Sequence, residues 1–190
     1  ELHLLSGVPM LNTPAAMRGM ITAPHHLAAE AGLRILREGG NAVEAMVAAA
    51  ATIAVVYPHM NAVGGDGFWL IAEPGQAPVG IDAAGCSAGM ATPDYYVSAG
   101  LGSIPARGPK AALNVGGTIA GWAKALQTTK GKLPLSRILE DAVYYAQNGV
   151  PVTQGQEDLT TEKLGELKDV PGFAGQYLVA GQAPKAGMIL

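Results

Sequence analysis

The sequence predicts an α+β domain, and three features carry that prediction. Between Ala42 and Tyr57 the chain reads AVEAMVAAAATIAVVY, with only Glu44 and Thr52 breaking an apolar surface. A helix that is apolar all round has to be buried all round. Phe68–Ala72 and Pro78–Asp82 are short apolar runs on either side of Pro74-Gly75, which is the pattern of a β-hairpin. Beyond Gly117 the apolar residues return at helical spacing. A chain of 190 residues suits one domain, and 49% apolar residues allow it a real core, so one domain over 1–190 is expected.

Each element has a local reason. Residues 1–22 read as an extended arm with Pro9 and Pro14, ending in a short strand at Met20–Ala23. Pro24 suits a first helical position, with Thr22 as its cap. His25–Glu38 then reads as a helix with Leu27, Ala31 and Ile35 on one stripe, stopped by Gly39-Gly40. Asn41 caps the apolar helix, with Glu44 placed to return a bond to the cap, and Pro58 ends it. Gly64, Gly65 and Gly67 imply a tight turn or close backbone contact before the first strand. A short helix is expected over Asp94–Gly100 after Thr92-Pro93, and a loop over 101–111. Further helices are expected after Gly116-Gly117 through Leu126, over Leu135–Gln147, and over Glu157–Lys168.

Composition removes several function classes. Intrinsic disorder needs low hydrophobicity and high charge, whereas only 14% of these residues are charged. A net charge of −3 with 12 Lys and Arg gives no basic stripe, so no nucleic-acid partner is expected. The single Cys86 excludes an internal disulfide framework and a Cys-rich zinc module. The longest apolar run, Ala45–Tyr57, is too short to span a bilayer, so no membrane partner is expected. Glu1–Val8 has no basic n-region and no long apolar run, which favours the cytoplasm over the periplasm or secretion. So few charges suggest that something else covers much of the surface.

The chemical motifs are weak when taken alone. Gly85-Cys86-Ser87-Ala88-Gly89 matches the G-x-S-x-G of a nucleophile elbow, but Pro93 intervenes where the elbow needs a helix, so a Gly-rich loop is the plainer reading. Nothing in the sequence marks Cys86 as a lowered-pKa thiol. His25 and His26 point about 100° apart on a helix and do not share a metal easily; His59 sits where it orients a site or simply packs. Gly64-Gly65-Asp66-Gly67 precedes a strand rather than a helix, which disfavours nucleotide binding. Arg107, between Pro105 and Pro109, is placed to clamp a carboxylate bidentately; the plain alternative is a structural ion pair or a solvated side chain. No metal site and no cofactor are expected.

The ordered motifs resemble a known family. Gly39-Gly-Asn-Ala-Val-Glu-Ala45, Pro58-His59, Val63-Gly-Gly-Asp-Gly-Phe68, Gly117-Thr-Ile-Ala-Gly121, and Gly131-Lys-Leu-Pro-Leu135 through Gly149-Val-Pro-Val152 are similar to the gamma-glutamyltranspeptidase family. The match covers about 18–152 well, and Gly181–Leu190 more loosely. The resemblance implies an N-terminal-nucleophile (Ntn) hydrolase with an αββα sandwich completed by a second subunit. In such a protein the precursor cleaves itself. The smaller subunit then begins with a Thr that attacks an amide, using its own α-amine as base. This chain would be the N-terminal part of the larger subunit. Its partner would be the Thr-bearing smaller subunit from the same precursor, and its substrate a small amide. The resemblance places no catalytic residue in the chain, because Thr118, Thr160 and Thr161 have acylated nitrogens.

One departure narrows the substrate. True gamma-glutamyl enzymes carry an Arg in a D-x-R-E-x-A-P segment. Aligning Asp82 with that Asp puts Ala84 at the Arg and Gly85 at the Glu, so the clamp for a glutamyl α-carboxylate is missing. Relatives lacking it look like amidohydrolases and acylases, and Ile104-Pro-Ala-Arg-Gly-Pro109 also looks like that branch. Ala84, Gly85 and Arg107 are therefore the expected substrate-binding residues, Arg107 as a replacement anion contact. The expected activity is hydrolysis of an oxamate-like or acyl amide. The alternatives are gamma-glutamyl transfer or glutathione hydrolysis, a non-catalytic scaffold subunit, and a serine hydrolase using Ser87.

Overall fold

The helix Ala42–Val56 (α2) is the axis around which the other elements pack. The computed structural model describes residues 15–108, 110–111 and 114–190. Asn41 caps α2 by accepting the Glu44 N–H at 2.9 Å, and the Glu44 carboxylate returns the bond to the Asn41 N–H at 2.7 Å. The expected capping box is present. The same carboxylate, 1% exposed, also accepts the N–H groups of Lys132 and Leu133 at 2.6 and 2.8 Å. One side chain thus caps a helix and fastens a loop some 90 residues away in sequence.

The helix His26–Arg37 (α1) lies along α2 and buries Ala28, Ala31, Gly32 and Ile35. The core cluster is Ile35 of α1, Ala45, Val47 and Ala48 of α2, and Ile138, with Trp69, Trp122, Leu126 and Leu133 packed around it. Where α1 meets α2 the buried residues include Ala28, Ala31, Gly32, Ala45 and Ala48, so the two helices approach closely; a Cβ on Gly32 would stand 2.8 Å from the Ala45 carbonyl oxygen. The cap of α1 differs from the expected one. His25, not Thr22, is the N-cap, and its Nδ1 accepts the Leu27 N–H at 3.2 Å; Pro24 stands before the cap rather than at the first helical position. The His25 ring is stacked on His26 and sits beside Tyr57, and this tertiary packing decides the start. Met20–Ala23 forms no strand; Ile21 instead packs its side chain onto the core. Of the arm, residues 1–14 lie outside the described residues, and 15–22 are in neither helix nor strand.

Strands Gly67–Ile71 (β1) and Val79–Ala83 (β2) pair antiparallel, with Phe68 opposite Asp82 and Leu70 opposite Gly80. The hairpin is the expected one, shifted by a residue. Alternation sends Gly67, Trp69 and Ile71 inward and leaves Phe68 and Leu70 outward, 72% and 81% exposed. The helix Thr118–Thr128 (α4) packs on the inner face of both strands. The expectation that α2 is buried on every side needs correcting. Met46 is 41% exposed and, with Ala50 and Ile53, lines a groove that also takes in Trp69 and Trp122. The spacing 46, 50, 53 is one helical stripe, and among the described residues nothing fills the space above it.

The short helix expected over Asp94–Gly100 is present as Pro93–Ser98 (α3), starting a residue earlier because Thr92 caps it and Pro93 takes the first position. The expected helix over 135–147 is divided at Leu139 into Leu135–Ile138 (α5) and Glu140–Asn148 (α6). The Leu139 N–H turns back onto Leu135 and Arg137, and Arg137 pairs with both Glu38 and Glu140. Asp141 of α6 accepts Arg34 of α1 at 2.7 Å. Gln154–Leu167 (α7) starts one turn earlier than expected, because the Thr153 hydroxyl caps it at the Gln156 N–H. Phe173–Tyr177 (α8) follows, and the 150–152 backbone pairs with 188–190.

Two outcomes test this frame. Burial opposes ionisation of Glu44, but the N–H groups of Leu133, Asn41 and Lys132 outweigh it and hold the carboxyl below its ordinary range. Its stabilisation is complete above the unfolded carboxylate value and is lost as pH falls through the depressed one. Glu44→Ala strands three buried N–H groups and is expected to cost about 3–5 kcal/mol in urea denaturation. Burial, then His26 and His59, lower the pKa of His25 from the ordinary 6.5. The unfolded chain takes up that proton first, so stability declines as pH falls below about 6.5. His25→Asn keeps a capping acceptor and is expected to flatten this limb of a Tm-versus-pH curve.

Candidate functional site

Ala84 and Gly85 stand just past the end of β2, where three backbone segments meet: 64–67, 83–87 and 114–118. The Gly117 and Thr118 N–H groups both donate to the Gly65 carbonyl at 3.0 Å. The Thr118 hydroxyl donates to the carbonyls of Gly65 and Asp66 at 2.7 and 3.0 Å. Val115 N–H donates to the Cys86 carbonyl at 2.9 Å, and Ser87 bridges Asn114 antiparallel. The packing needs glycine at 85, 116 and 117, most tightly at the first and last. A Cβ on Gly85 would stand 1.3 Å from the Val115 carbonyl oxygen, and one on Gly117 2.0 Å from that of Ala83.

Asp66 holds this junction. Its Oδ1 accepts the Gly85 N–H at 3.1 Å and the Asn114 amide at 2.8 Å, so one carboxylate oxygen joins all three segments. Ala84 is exposed, and its N–H donates to Asp82 Oδ1 at 2.9 Å. The sequence reading missed Asp66 and Asn114. Their only signal is a carboxylate set among glycines, since the partners of Asp66 lie 19 and 48 residues away.

Arg107 lies apart from this junction. Its Nε donates to Glu166 Oε1 of α7 at 2.5 Å, and both side chains are about half exposed, at 48% and 46%. It lines a cavity shared with His59, α7 and α8, to which neither Ala84 nor Gly85 contributes. Thus Gly85 is held by Asp66 and its neighbour Ala84 by Asp82, while Arg107 sits with a different set of neighbours. Pro109, Ala112 and Leu113 of the same loop lie outside the described residues. His59 packs edge-on against Tyr57, 4.2 Å between ring centroids, and burial pushes its pKa down. Its buried Nδ1 has no hydrogen-bond partner. Cys86 and Ser87 are exposed in a loop, and the next helix, α3, starts only at Pro93; an elbow geometry is not formed. Among the described residues no three His, Cys, Asp or Glu side chains converge as a metal site, and no helix is long and apolar enough to cross a membrane.

Residues 28–190 match the family model for gamma-glutamyltranspeptidase. The chain belongs to that family. It is 53% identical over 182 residues to the oxamate amidohydrolase proenzyme of Klebsiella pneumoniae, covering 94% of this chain and 34% of the relative. It is 41% identical to the glutathione hydrolase-like YwrD proenzyme of Bacillus subtilis, covering 88% of this chain and 32% of that one. Among solved structures it superposes on the gamma-glutamyltranspeptidase of Helicobacter pylori with a TM-score of 0.85 at 25% identity, covering 94% of this chain and 52% of that one. The cephalosporin acylase of Bacillus halodurans gives a TM-score of 0.78 at 26% identity, with 97% and 37% covered. The fold is therefore the α+β fold of the Ntn hydrolases, and this chain spans about a third of the length of the curated relatives it matches.

Asp66→Ala would release both the Gly85 N–H and the Asn114 amide. A loss of about 1–2 kcal/mol in thermal or urea unfolding is expected, with Asp66→Asn milder because its Oδ1 still accepts.

Proposed function

We propose that this chain is the front part of the larger subunit of a self-processing amidohydrolase that cleaves a small, non-glutamyl amide. The observation that carries the reading is the chemistry around Ala84. Segments 64–67, 83–87 and 114–118 contain no Lys or Arg, and their one acidic side chain, Asp66, already holds the Gly85 N–H. A glutamyl α-carboxylate brought to Ala84 would meet a like charge and no cation, an arrangement that disfavours its desolvation. The 53% identity to an oxamate amidohydrolase proenzyme agrees with that exclusion.

In this reading the nucleophile is the Thr that begins a smaller subunit. Its Oγ attacks the amide carbonyl while its own α-amine takes the proton, then returns it to the leaving amine; water hydrolyses the acyl-enzyme. Thr118 has no part in this, since its hydroxyl is committed to two carbonyls. The present chain contributes scaffold and one wall. Phe68 and Leu70 on the outer sheet face, and the Met46–Ala50–Ile53 groove, are the apolar surfaces a second subunit would cover. Arg107 is the cation this reading assigns to an anionic substrate, on a cavity wall separate from Ala84 and Gly85 and beside Glu166.

Intact-mass spectrometry of the purified protein is expected to show two polypeptides, the smaller beginning with Thr; a single unprocessed chain would favour the scaffold alternative. The processed enzyme is expected to turn over oxamate in preference to a gamma-glutamyl anilide. Arg107→Ala is expected to lower kcat/KM on oxamate at least about tenfold, the loss of one charge-assisted contact. An unchanged value removes Arg107 from the substrate site.

A further inference from the structure

The cavity between α7, α8 and residues 58–60 has a volume of about 460 Å³, within the ~300–1,000 Å³ of small-molecule sites. Its wall is chemically one-sided. Arg107 and Lys163 both line it, while the carboxylates that pair with them, Glu166 and Glu162, do not. The rest of the wall is largely apolar, with Leu159, Leu167 and Phe173 among its residues. His59 also lines it, and its Nδ1 is one of the few buried side-chain polar atoms among the described residues with no partner. A buried orphan of this kind calls for a polar atom from outside the chain.

We propose that this cavity binds a small organic carboxylate with an apolar body, the carboxylate taking the place of Glu166 at Arg107. Glu166 engages only the Nε of Arg107, and the two Nη groups have no hydrogen-bond partner among the described residues. A guanidinium presents a fork that matches a carboxylate with two parallel bonds, which the single Nε contact does not use. The existing pair is half exposed, and exposed pairs contribute little, so exchanging it costs little. Lys163 adds a second positive charge on the same wall, and the Phe173–Tyr177 stack, 5.3 Å between centroids, gives the apolar body an aromatic surface.

The inference shares Arg107 with the proposed substrate site but stands on binding rather than turnover. The test is calorimetric titration of the full assembled protein with phenylacetate and with its uncharged counterpart 2-phenylethanol. Saturable binding of phenylacetate is expected, tightened several-fold by Glu166→Ala and weakened at least about tenfold by Arg107→Ala, with 2-phenylethanol insensitive to both. Both residues are on the surface, so circular dichroism is expected to show unchanged folding. Absence of phenylacetate binding, or binding that neither substitution alters, overturns the proposal. If Arg107→Ala abolishes phenylacetate binding but leaves kcat/KM on oxamate unchanged, the carboxylate pocket stands and the role of Arg107 in the substrate site falls.

Discussion

The carboxylate of Glu44 is the contact on which the rest of this chain depends. It is an acid placed inside a layer of alanines and valines, and it is tolerable there only because three backbone N–H groups reach it. Two come from the loop that leads into α5, so capping α2 also sets where α5 and α6 begin. Ile138 of α5 is thereby brought into the core beside Ala45, Val47 and Ala48. Arg137, one residue earlier, reaches Glu38 at the end of α1, closing a ring of α1, α2 and α5 around the same small-residue core.

That core has a consequence on the other side of α2. Small side chains let α1 approach closely, but they fill little space toward the sheet. There the bulk is supplied by Trp69 and Trp122, which leave the Met46 stripe half open. The hairpin repeats the theme, with one face packed on α4 and the other presenting Phe68 and Leu70 to solvent. A two-stranded sheet with a bare apolar face is marginal by itself. The low charge count of the sequence and these open faces are two views of one fact: the chain carries apolar surface that its described residues leave uncovered.

Much of the local structure was legible from the residues. The capping box of α2 is a pattern within four residues, and the hairpin follows from alternation and a Pro-Gly turn, so short-range chemistry was enough for both. The short helix after Thr92-Pro93 was equally local. The errors lay where distant contacts decide. His25 displaced Thr22 as the cap of α1 because its ring is held by His26 and Tyr57. The division at Leu139 follows Arg137 to partners on both sides. At the candidate site, Ala84 and Gly85 were singled out only through a family motif. Asp66, which holds Gly85 and Asn114, was hidden because hydrogen bonds across 19 and 48 residues leave no local pattern.

The sequence by itself determined the position and capping of α2, the hairpin and the family, because each depends on residue identity or near-neighbour spacing. Only the tertiary structure decided where Arg107 belongs. From the sequence it was a lone guanidinium in a loop of small residues. In the fold it sits on the wall of a cavity with Lys163 and His59, away from Ala84, with Glu166 beside it. A charged side chain acquires its role from the groups that face it, and those groups come from elements far away along the chain.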